Sequence, residues 1–234
     1  MTHALPPYQV HWSEHTVPAC TADLPVDTHY PVALRGGGVL ELPIRALPNG
    51  QQAIALLMSN QTPFAVEDVL VSRMTSLART FAPEMVAAVP TMGLDYARRV
   101  ARDLGMPHYV SLGLSRKFWY DEMLSEPVVS STSPDQAKRL YLDPAMLDRV
   151  AGQRVLLVDD VINTGASALA AIRLLERAGA KVCGLVVALT EGHAWREALA
   201  GIEPGWPLRV QGVGHIPMFH LGPDQRWHPN TQTL

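Results

Sequence analysis

Hydrophobic positions along the chain recur with two different periods, and the change of period separates strands from helices. Short apolar runs bounded by Gly, Pro or Asn predict two strands at 30–47, around the Gly36-Gly37-Gly38 turn, and a third at 51–59. Residues 1–28 are rich in Pro, His and Thr without periodicity and predict an irregular arm. We therefore expect residues 1–60 to form an N-terminal arm and a small antiparallel β subdomain.

From residue 61 the pattern becomes a succession of helices and buried strands. Helical spacing marks residues 64–81, 93–105, 166–180 and a short segment at 194–200, and apolar runs predict strands at 84–90, 108–113, 138–143, 154–160 and 181–191. This alternation is typical of an α/β fold with a parallel sheet covered on both faces. We expect this core to span residues 61–204, with residues 205–234 as a C-terminal strand or tail.

One long polar segment, 114–138, interrupts the alternation and carries several Ser and Pro residues. Connections longer than about 12–15 residues in a compact domain are usually functional or disordered. Because this segment lies between two predicted strands of the core, we interpret it as a lid over an active site. A plain surface insertion is the alternative.

Composition narrows the class of protein. The 234 residues, 47% hydrophobic and 18% charged, can bury a full core, and the formal net charge of −3 argues against a general nucleic-acid binder. Cys20 and Cys183 are not spaced as metal ligands, and we interpret both as reduced thiols. The N-terminus has no signal-peptide pattern, and the apolar runs are too short to cross a membrane. These features predict a soluble cytoplasmic protein.

The richest chemistry lies at 155–167, VLLVDDVINTGAS. Asp159 and Asp160 end a buried strand, and a small polar turn leads into a helix whose N-terminus can bind an anion. Carboxylates repel phosphate but accept hydrogen bonds from sugar hydroxyl groups, so the pattern predicts a ribose 5-phosphate site. The turn residues that would hold the phosphate are Asn163, Thr164, Gly165, Ala166 and Ser167. The alternative is that the acids merely complement the helix dipole.

This stretch resembles the 5-phosphoribosyl 1-diphosphate (PRPP) signature of type I phosphoribosyltransferases, although Asn163 stands where many members carry Thr. The chain contains neither GxGxxG nor GxxxxGK[ST], which argues against dinucleotide-binding and P-loop folds. The resemblance is closest to enzymes acting on purines such as adenine or xanthine. It implies a glycosyltransferase of nucleotide salvage that transfers phosphoribose from PRPP to a nucleobase, uses Mg²⁺ carried on PRPP, and forms a homodimer.

The resemblance also implies roles for further residues. The family places pyrophosphate on a loop after the first core strand, which here is VPTMG (89–93), so Thr91, Met92 and Gly93 would contact it. The pair Arg116 and Lys117, at the start of the predicted lid, would bind the departing pyrophosphate. The resemblance assigns catalytic roles to Asp159, Asp160 and Lys117.

Several alternatives stay open from the sequence. The hood that selects the base could be built from strands at 30–58 or from the C-terminal tail, whose His215, Phe219, His220 and Trp227 could instead pack in a terminal strand. Candidates for a general base in the lid are Asp121, Glu122, Glu126 and Asp135. A PRPP-sensing regulator without catalysis and an orotate-type phosphoribosyltransferase are the alternative functions.

Overall fold

A computed structural model describes residues 7–15, 23–128 and 138–234. The strands in these ranges are β1 (His11–Ser13), β2 (His29–Ala33), β3 (Val39–Ala46), β4 (Gln52–Ala55), β5 (Met85–Ala88), β6 (Val110–Ser111), β7 (Ser125–Val128), β8 (Lys138–Tyr141), β9 (Arg154–Ile162), β10 (Lys181–Glu191), β11 (Val210–Ile216), β12 (Phe219–Leu221) and β13 (Trp227–Pro229). The α-helices are α1 (Phe64–Arg79), α2 (Gly93–Asp103), α3 (Leu147–Val150), α4 (Ala166–Arg177) and α5 (Ala194–Ala200).

The core is a parallel sheet with the strand order β11-β10-β9-β5-β6. Apolar clusters cover both of its faces: Leu70 of α1 and Val100 of α2 belong to one cluster, and Ile172 of α4 and Trp206 belong to the other. The near-continuous apolar runs of the sequence are explained by this double covering. The predicted α/β class with a small, mostly β hood is confirmed.

The hood is an antiparallel sheet to which both ends of the chain contribute. Strand β3 pairs with β1, β2 and β4, while β12 pairs with both β4 and β13. Phe219 of β12 is fully buried and packs edge-on against Tyr30, with the ring centroids 5.0 Å apart. Phe219 therefore packs in a terminal strand, which was the alternative to a role of the C-terminal tail in selecting the base.

Three sequence-based predictions differ from the structure. The parallel sheet continues past residue 204, because β11 pairs with β10 along Val210–Ile216. The strand predicted at 138–143 does not join this sheet but forms an antiparallel hairpin with β7. Ser125 and Glu126 of this hairpin are buried although they lie in a segment whose sequence is polar. A short strand, β1, also lies in the predicted irregular arm.

The predicted lid, 114–138, is described at 114–128 and at 138. Its first half carries exposed aromatic side chains, with Phe118 97% exposed and packed edge-on against Trp119. Its second half is anchored to the core, because Glu126 of β7 forms an ion pair with Arg177 of α4. Asp135 and Cys20 lie outside the described residues. Closure of the segment over a site stays a prediction.

Candidate active site

A pocket of about 270 Å³ opens at the carboxyl end of the parallel sheet, where β9 meets the start of α4. Three chain segments line it: residues 90–92, the end of β9 with the acidic pair, and the turn into α4. This edge is where ligands bind in open α/β sheets. The predicted site residues that line the pocket are Thr91, Met92, Asp159, Asp160, Asn163, Thr164, Gly165, Ala166 and Ser167.

The acidic pair is held by close packing between β9 and α2. A Cβ atom built on Gly93, the first residue of α2, would lie 2.7 Å from Asp159 Oδ1 and 2.9 Å from both Asp159 Cα and the carbonyl oxygen of Val158. The Asp159 carboxylate also accepts a hydrogen bond from the backbone N–H of Asp160 at 2.9 Å. Gly93 does not line the pocket among the described residues, but it lets the helix approach the acid.

The turn from β9 into α4 is shaped for an anion. Gly165 precedes the helix with φ of 80°, a left-handed conformation that favours glycine. A Cβ atom on Gly165 would also lie 3.3 Å from Trp195 and Ala198, which pack against the turn. The helix that follows has twelve residues, so its first N–H groups and its dipole favour a negatively charged ligand here.

The opposite wall is the loop 89–93, which connects β5 to α2. Its Pro90–Thr91 peptide bond is cis. The hood secures this loop through Ser59, whose hydroxyl donates to the carbonyl oxygen of Met92 at 2.9 Å and contacts Asp95 Oδ2 at 2.8 Å. The loop predicted to contact pyrophosphate therefore faces the acidic pair across the pocket and is tied to both subdomains.

The electrostatics of the pocket favour a ligand that can neutralise the two acids. Burial raises the pKa of Asp159 well above its ordinary value, and the neighbouring charge of Asp160 raises it further. Burial likewise raises the pKa of Asp160. Burial also raises the pKa of Tyr96, with a further contribution from Asp160, and no hydrogen-bond partner of its buried hydroxyl lies among the described residues.

Two predicted site residues are not brought to this pocket. Arg116 is 58% exposed in its side chain and lies 3.4 Å from Glu122, and Lys117 is exposed, so neither belongs to the described residues lining the cavity. Their contact with pyrophosphate stays a prediction.

The three described candidates for a general base each have a partner outside the pocket. Asp121 accepts a hydrogen bond from the backbone N–H of Met123, Glu122 lies beside Arg116, and Glu126 is paired with Arg177. The ion pair holds the buried Glu126 against α4, and its role as a general base stays a prediction. No local pattern revealed the pair, because its members lie 51 residues apart.

Glu191 was missed by the sequence analysis. It ends β10, is 5% exposed, and follows Thr190, which pairs with Ile162, the residue before Asn163. Burial raises its pKa to about 7. An acid at the end of a buried apolar strand is the signal that identified Asp159 and Asp160, and the same signal could have found Glu191.

The donor set suits a divalent cation only in company with a ligand. Among the described residues no group of three or more His, Cys, Asp and Glu side chains could hold a metal ion. Mg²⁺ is commonly held by one or two carboxylates together with water and substrate phosphates. The buried Asp159 and the half-buried Asp160 beside it fit that role, since a cation would offset the charge that burial disfavours.

Comparison with known proteins agrees with this geometry. A family model described as a phosphoribosyl transferase domain matches residues 74–215, more than half of the chain. The chain belongs to the phosphoribosyltransferase family. The matched region includes the pocket between β9, α4 and the 89–93 loop.

Individual relatives of this phosphoribosyltransferase match over shorter spans. It is 53% identical over 64 residues to an adenine phosphoribosyltransferase of Streptomyces galbus, which covers 27% of this chain and 35% of the relative. It is 30% identical over 129 residues to a hypoxanthine/guanine phosphoribosyltransferase of Methanosalsum zhilinae, covering 55% of this chain and 63% of the relative. The matches therefore span about a third to just under two thirds of these relatives.

The fold has counterparts among solved structures. The crystal structure of an APRTase from Giardia lamblia in complex with 9-deazaadenine superimposes with a TM-score of 0.54 at 19% identity, covering 69% of this chain and 93% of that chain. At this identity the likeness concerns the fold, which is that of a type I phosphoribosyltransferase. No helix in the described part of the chain is long and apolar enough to cross a membrane.

Proposed function

We propose that the protein transfers the 5-phosphoribosyl group of PRPP to a purine or purine-like base, with release of pyrophosphate. The observation that carries this proposal is the pocket in which the acidic pair of β9, the turn into α4 and the 89–93 loop meet. A ribose, its 5-phosphate and a pyrophosphate are three groups joined in one molecule, and the three walls of the pocket match them in chemistry.

Each wall has a separate task in this reaction. The turn at 163–167 binds the 5-phosphate, and Asp159 and Asp160 accept hydrogen bonds from the 2′- and 3′-hydroxyl groups of the ribose. Thr91 and Met92 face the pyrophosphate. A base nitrogen then bonds to C1′ while the bond from C1′ to the pyrophosphate oxygen breaks, the pyrophosphate leaves with the bonding electron pair, and the proton of the nitrogen is released to water. Positioning and charge stabilisation supply most of the acceleration.

The purine preference is supported by the relatives, since the adenine and hypoxanthine/guanine enzymes are named for purine bases. Asp159 and Asp160 would hold Mg²⁺ together with PRPP, and the ion would neutralise charge on the pyrophosphate. The family resemblance further supports a homodimer and a cytoplasmic location. These finer assignments belong to the same proposal.

The test is to incubate the protein with PRPP, Mg²⁺ and, one at a time, adenine, hypoxanthine, guanine, xanthine and orotate, and to measure pyrophosphate release. Release with a purine and none with orotate is expected. Asp159→Asn with Asp160→Asn should abolish it, whereas Asp148→Asn, which changes an exposed acid on α3, should not. PRPP binding without release for any base would overturn the enzymatic proposal in favour of a PRPP sensor. Release with orotate alone would overturn the purine assignment.

A further inference from the structure

One serine of the hood has a single hydroxyl proton and two oxygen acceptors within hydrogen-bond distance. Ser59 Oγ lies 2.9 Å from the carbonyl oxygen of Met92 and 2.8 Å from Asp95 Oδ2. A hydroxyl group donates one hydrogen bond, whereas a carbonyl oxygen and a carboxylate can only accept. Ser59 therefore cannot donate to both neighbours at the same time, and the two compete for its proton.

The backbone on both sides of Ser59 is held by hydrogen bonds. Tyr8 Oη accepts from the N–H of Met58 at 2.8 Å, and the hydroxyl of Thr62 donates to the carbonyl oxygen of Met58 at 2.7 Å. The N–H of Thr62 donates to the carbonyl oxygen of Ser59 at 3.2 Å. Because Ser59 is 5% exposed, little water can reach it to replace a lost partner.

The two acceptors stand differently to the pocket. Met92 lines it on the 89–93 loop, whereas Asp95 lies in the first turn of α2 and is not among the described residues that line it. A hydrogen bond from Ser59 to Met92 ties the loop to the hood, and a hydrogen bond to Asp95 leaves the Met92 carbonyl without this donor. Since bonds to a carboxylate are about twice as strong as bonds between neutral groups, Asp95 draws the proton away from the loop.

We propose that Ser59 is a positioning residue for the 89–93 loop and that Asp95 weakens this role by competing for the hydroxyl proton. The hood then sets the affinity of the loop for pyrophosphate through one hydrogen bond. Both side chains act through the backbone of Met92 and need not touch the ligand. This inference rests on the proposed function of the loop as the pyrophosphate site.

The experiment measures two dissociation constants by calorimetry at neutral pH, one for pyrophosphate with Mg²⁺ and one for ribose 5-phosphate. Ser59→Ala removes the donor to Met92, so pyrophosphate should bind about two- to tenfold more weakly, the range that corresponds to the net contribution of one hydrogen bond. Ribose 5-phosphate, proposed to bind at the turn 163–167, should keep its wild-type constant.

Ser76→Ala is the matched control. It also removes a serine hydroxyl that donates to a backbone carbonyl oxygen, that of Ser72 on α1, at 3.0 Å. Because this hydrogen bond lies within α1 and not at the loop, both dissociation constants should stay at their wild-type values.

Asp95→Asn tests the competition itself. An asparagine amide can donate to Ser59 Oγ, which leaves the hydroxyl proton to Met92, so pyrophosphate should bind more tightly than to the wild type. Loss of a negative charge near the loop also favours an anion, and a double-mutant cycle with Ser59→Ala separates the two effects. The charge effect persists without the hydroxyl group, so the gain from Asp95→Asn should be about twofold or more larger when Ser59 is present.

The outcomes distinguish this inference from the function on which it rests. Wild-type pyrophosphate affinity of Ser59→Ala, or equal gains from Asp95→Asn with and without the hydroxyl group, would overturn the role of Ser59 alone. An equal loss of affinity for both ligands in Ser59→Ala would do the same, because it would indicate a general loosening of the fold.

If Ser59→Ala fails to fold, Ser59→Cys takes its place in the cycle, since a thiol is a similar group but a weak donor, and the same selective loss of pyrophosphate affinity is expected. If the wild type binds ribose 5-phosphate but not pyrophosphate, the assignment of the 89–93 loop falls together with this inference.

Discussion

Gly93 offers a sharp test of how the acidic pair is positioned, because it is the point where α2 touches β9. An added methyl group in Gly93→Ala would meet Asp159 Cα and the Val158 carbonyl oxygen at 2.9 Å. Favourable contacts between carbon atoms begin near 3.5 Å, so the helix and the strand must separate by about 0.6 Å. The contacted atoms belong to the backbone, so a rotamer change cannot relieve the clash.

Two losses are expected from Gly93→Ala. Overpacking of this kind costs about 1–3 kcal/mol of unfolding free energy, which lowers the melting temperature by about 2–12 °C in a chain of this size. The same movement displaces Asp159 and the 89–93 loop, and misplacements below 1 Å can reduce turnover by about 10–100-fold. Thermal unfolding followed by circular dichroism, and pyrophosphate release from PRPP, measure the two losses.

Gly205→Ala is the matched control. A Cβ atom there would have Glu203 Oε1 at 3.7 Å as its neighbour, and φ is −80°, so neither a clash nor backbone strain is introduced. If Gly93→Ala melts at the wild-type temperature and turns over at the wild-type rate, close approach of α2 does not position Asp159.

Other substitutions test the remaining parts of the account. Asp159→Asn with Asp160→Asn should lose PRPP binding in calorimetry. The same double variant should have a free energy of unfolding at pH 8 that is about 1–3 kcal/mol higher in denaturant titrations, because the charges of the buried Asp159 and the half-buried Asp160 are removed. Gly165→Ala should weaken ribose 5-phosphate binding and cost about 1–2 kcal/mol of stability, since φ is 80°. Arg177→Met should destabilise the protein by about 1–3 kcal/mol in denaturant titrations by leaving Glu126 unpaired, a cost moderated by the partial exposure of the arginine. For Glu191 the folded-state pKa is raised, so its contribution to stability is present below pH 4.5 and is lost as pH rises through about 7; Glu191→Gln should therefore gain up to about 3 kcal/mol over the wild type at pH 8.5.

Each of these expectations has a contrary result. If the double Asp→Asn variant unfolds but still binds PRPP once its fold is rescued, the two acids stabilise the helix dipole and do not bind the ligand. Normal phosphate binding by Gly165→Ala would remove the turn from the site. Unchanged stability of Arg177→Met would show that its ion pair contributes little, and a difference between wild type and Glu191→Gln that does not vary with pH would contradict the raised pKa.

The fold could be predicted wherever a local pattern reflects burial. The apolar runs at 154–160 and 181–191 became β9 and β10, and the helix predicted at 194–200 is α5. These segments are buried on a face or a stripe that leaves its period in the sequence. The hairpin of β7 and β8 could not be predicted, because its strands are short and Glu126 is buried by a distant partner, Arg177.

The candidate site also contains residues that the sequence could predict and residues that it could not. The turn and the acids at 155–167 are contiguous, so their chemistry can be recognised in one short stretch of sequence. The structure places them in one pocket. The contributions of Ser59 and Glu191 depend on the approach of the hood and of a neighbouring strand. Such contacts between distant residues leave no spacing to recognise, although an acid at the end of an apolar strand was a usable sign.

The end of β9 and the turn into α4 are proposed to bind ribose 5-phosphate together. A crystal structure of the protein with PRPP and Mg²⁺ would show whether they do. We expect the 5-phosphate to lie against the backbone N–H groups of residues 163–167 and the ribose hydroxyl groups to contact Asp159 and Asp160. A phosphate bound elsewhere, or a sugar that does not contact the two acids, would contradict it.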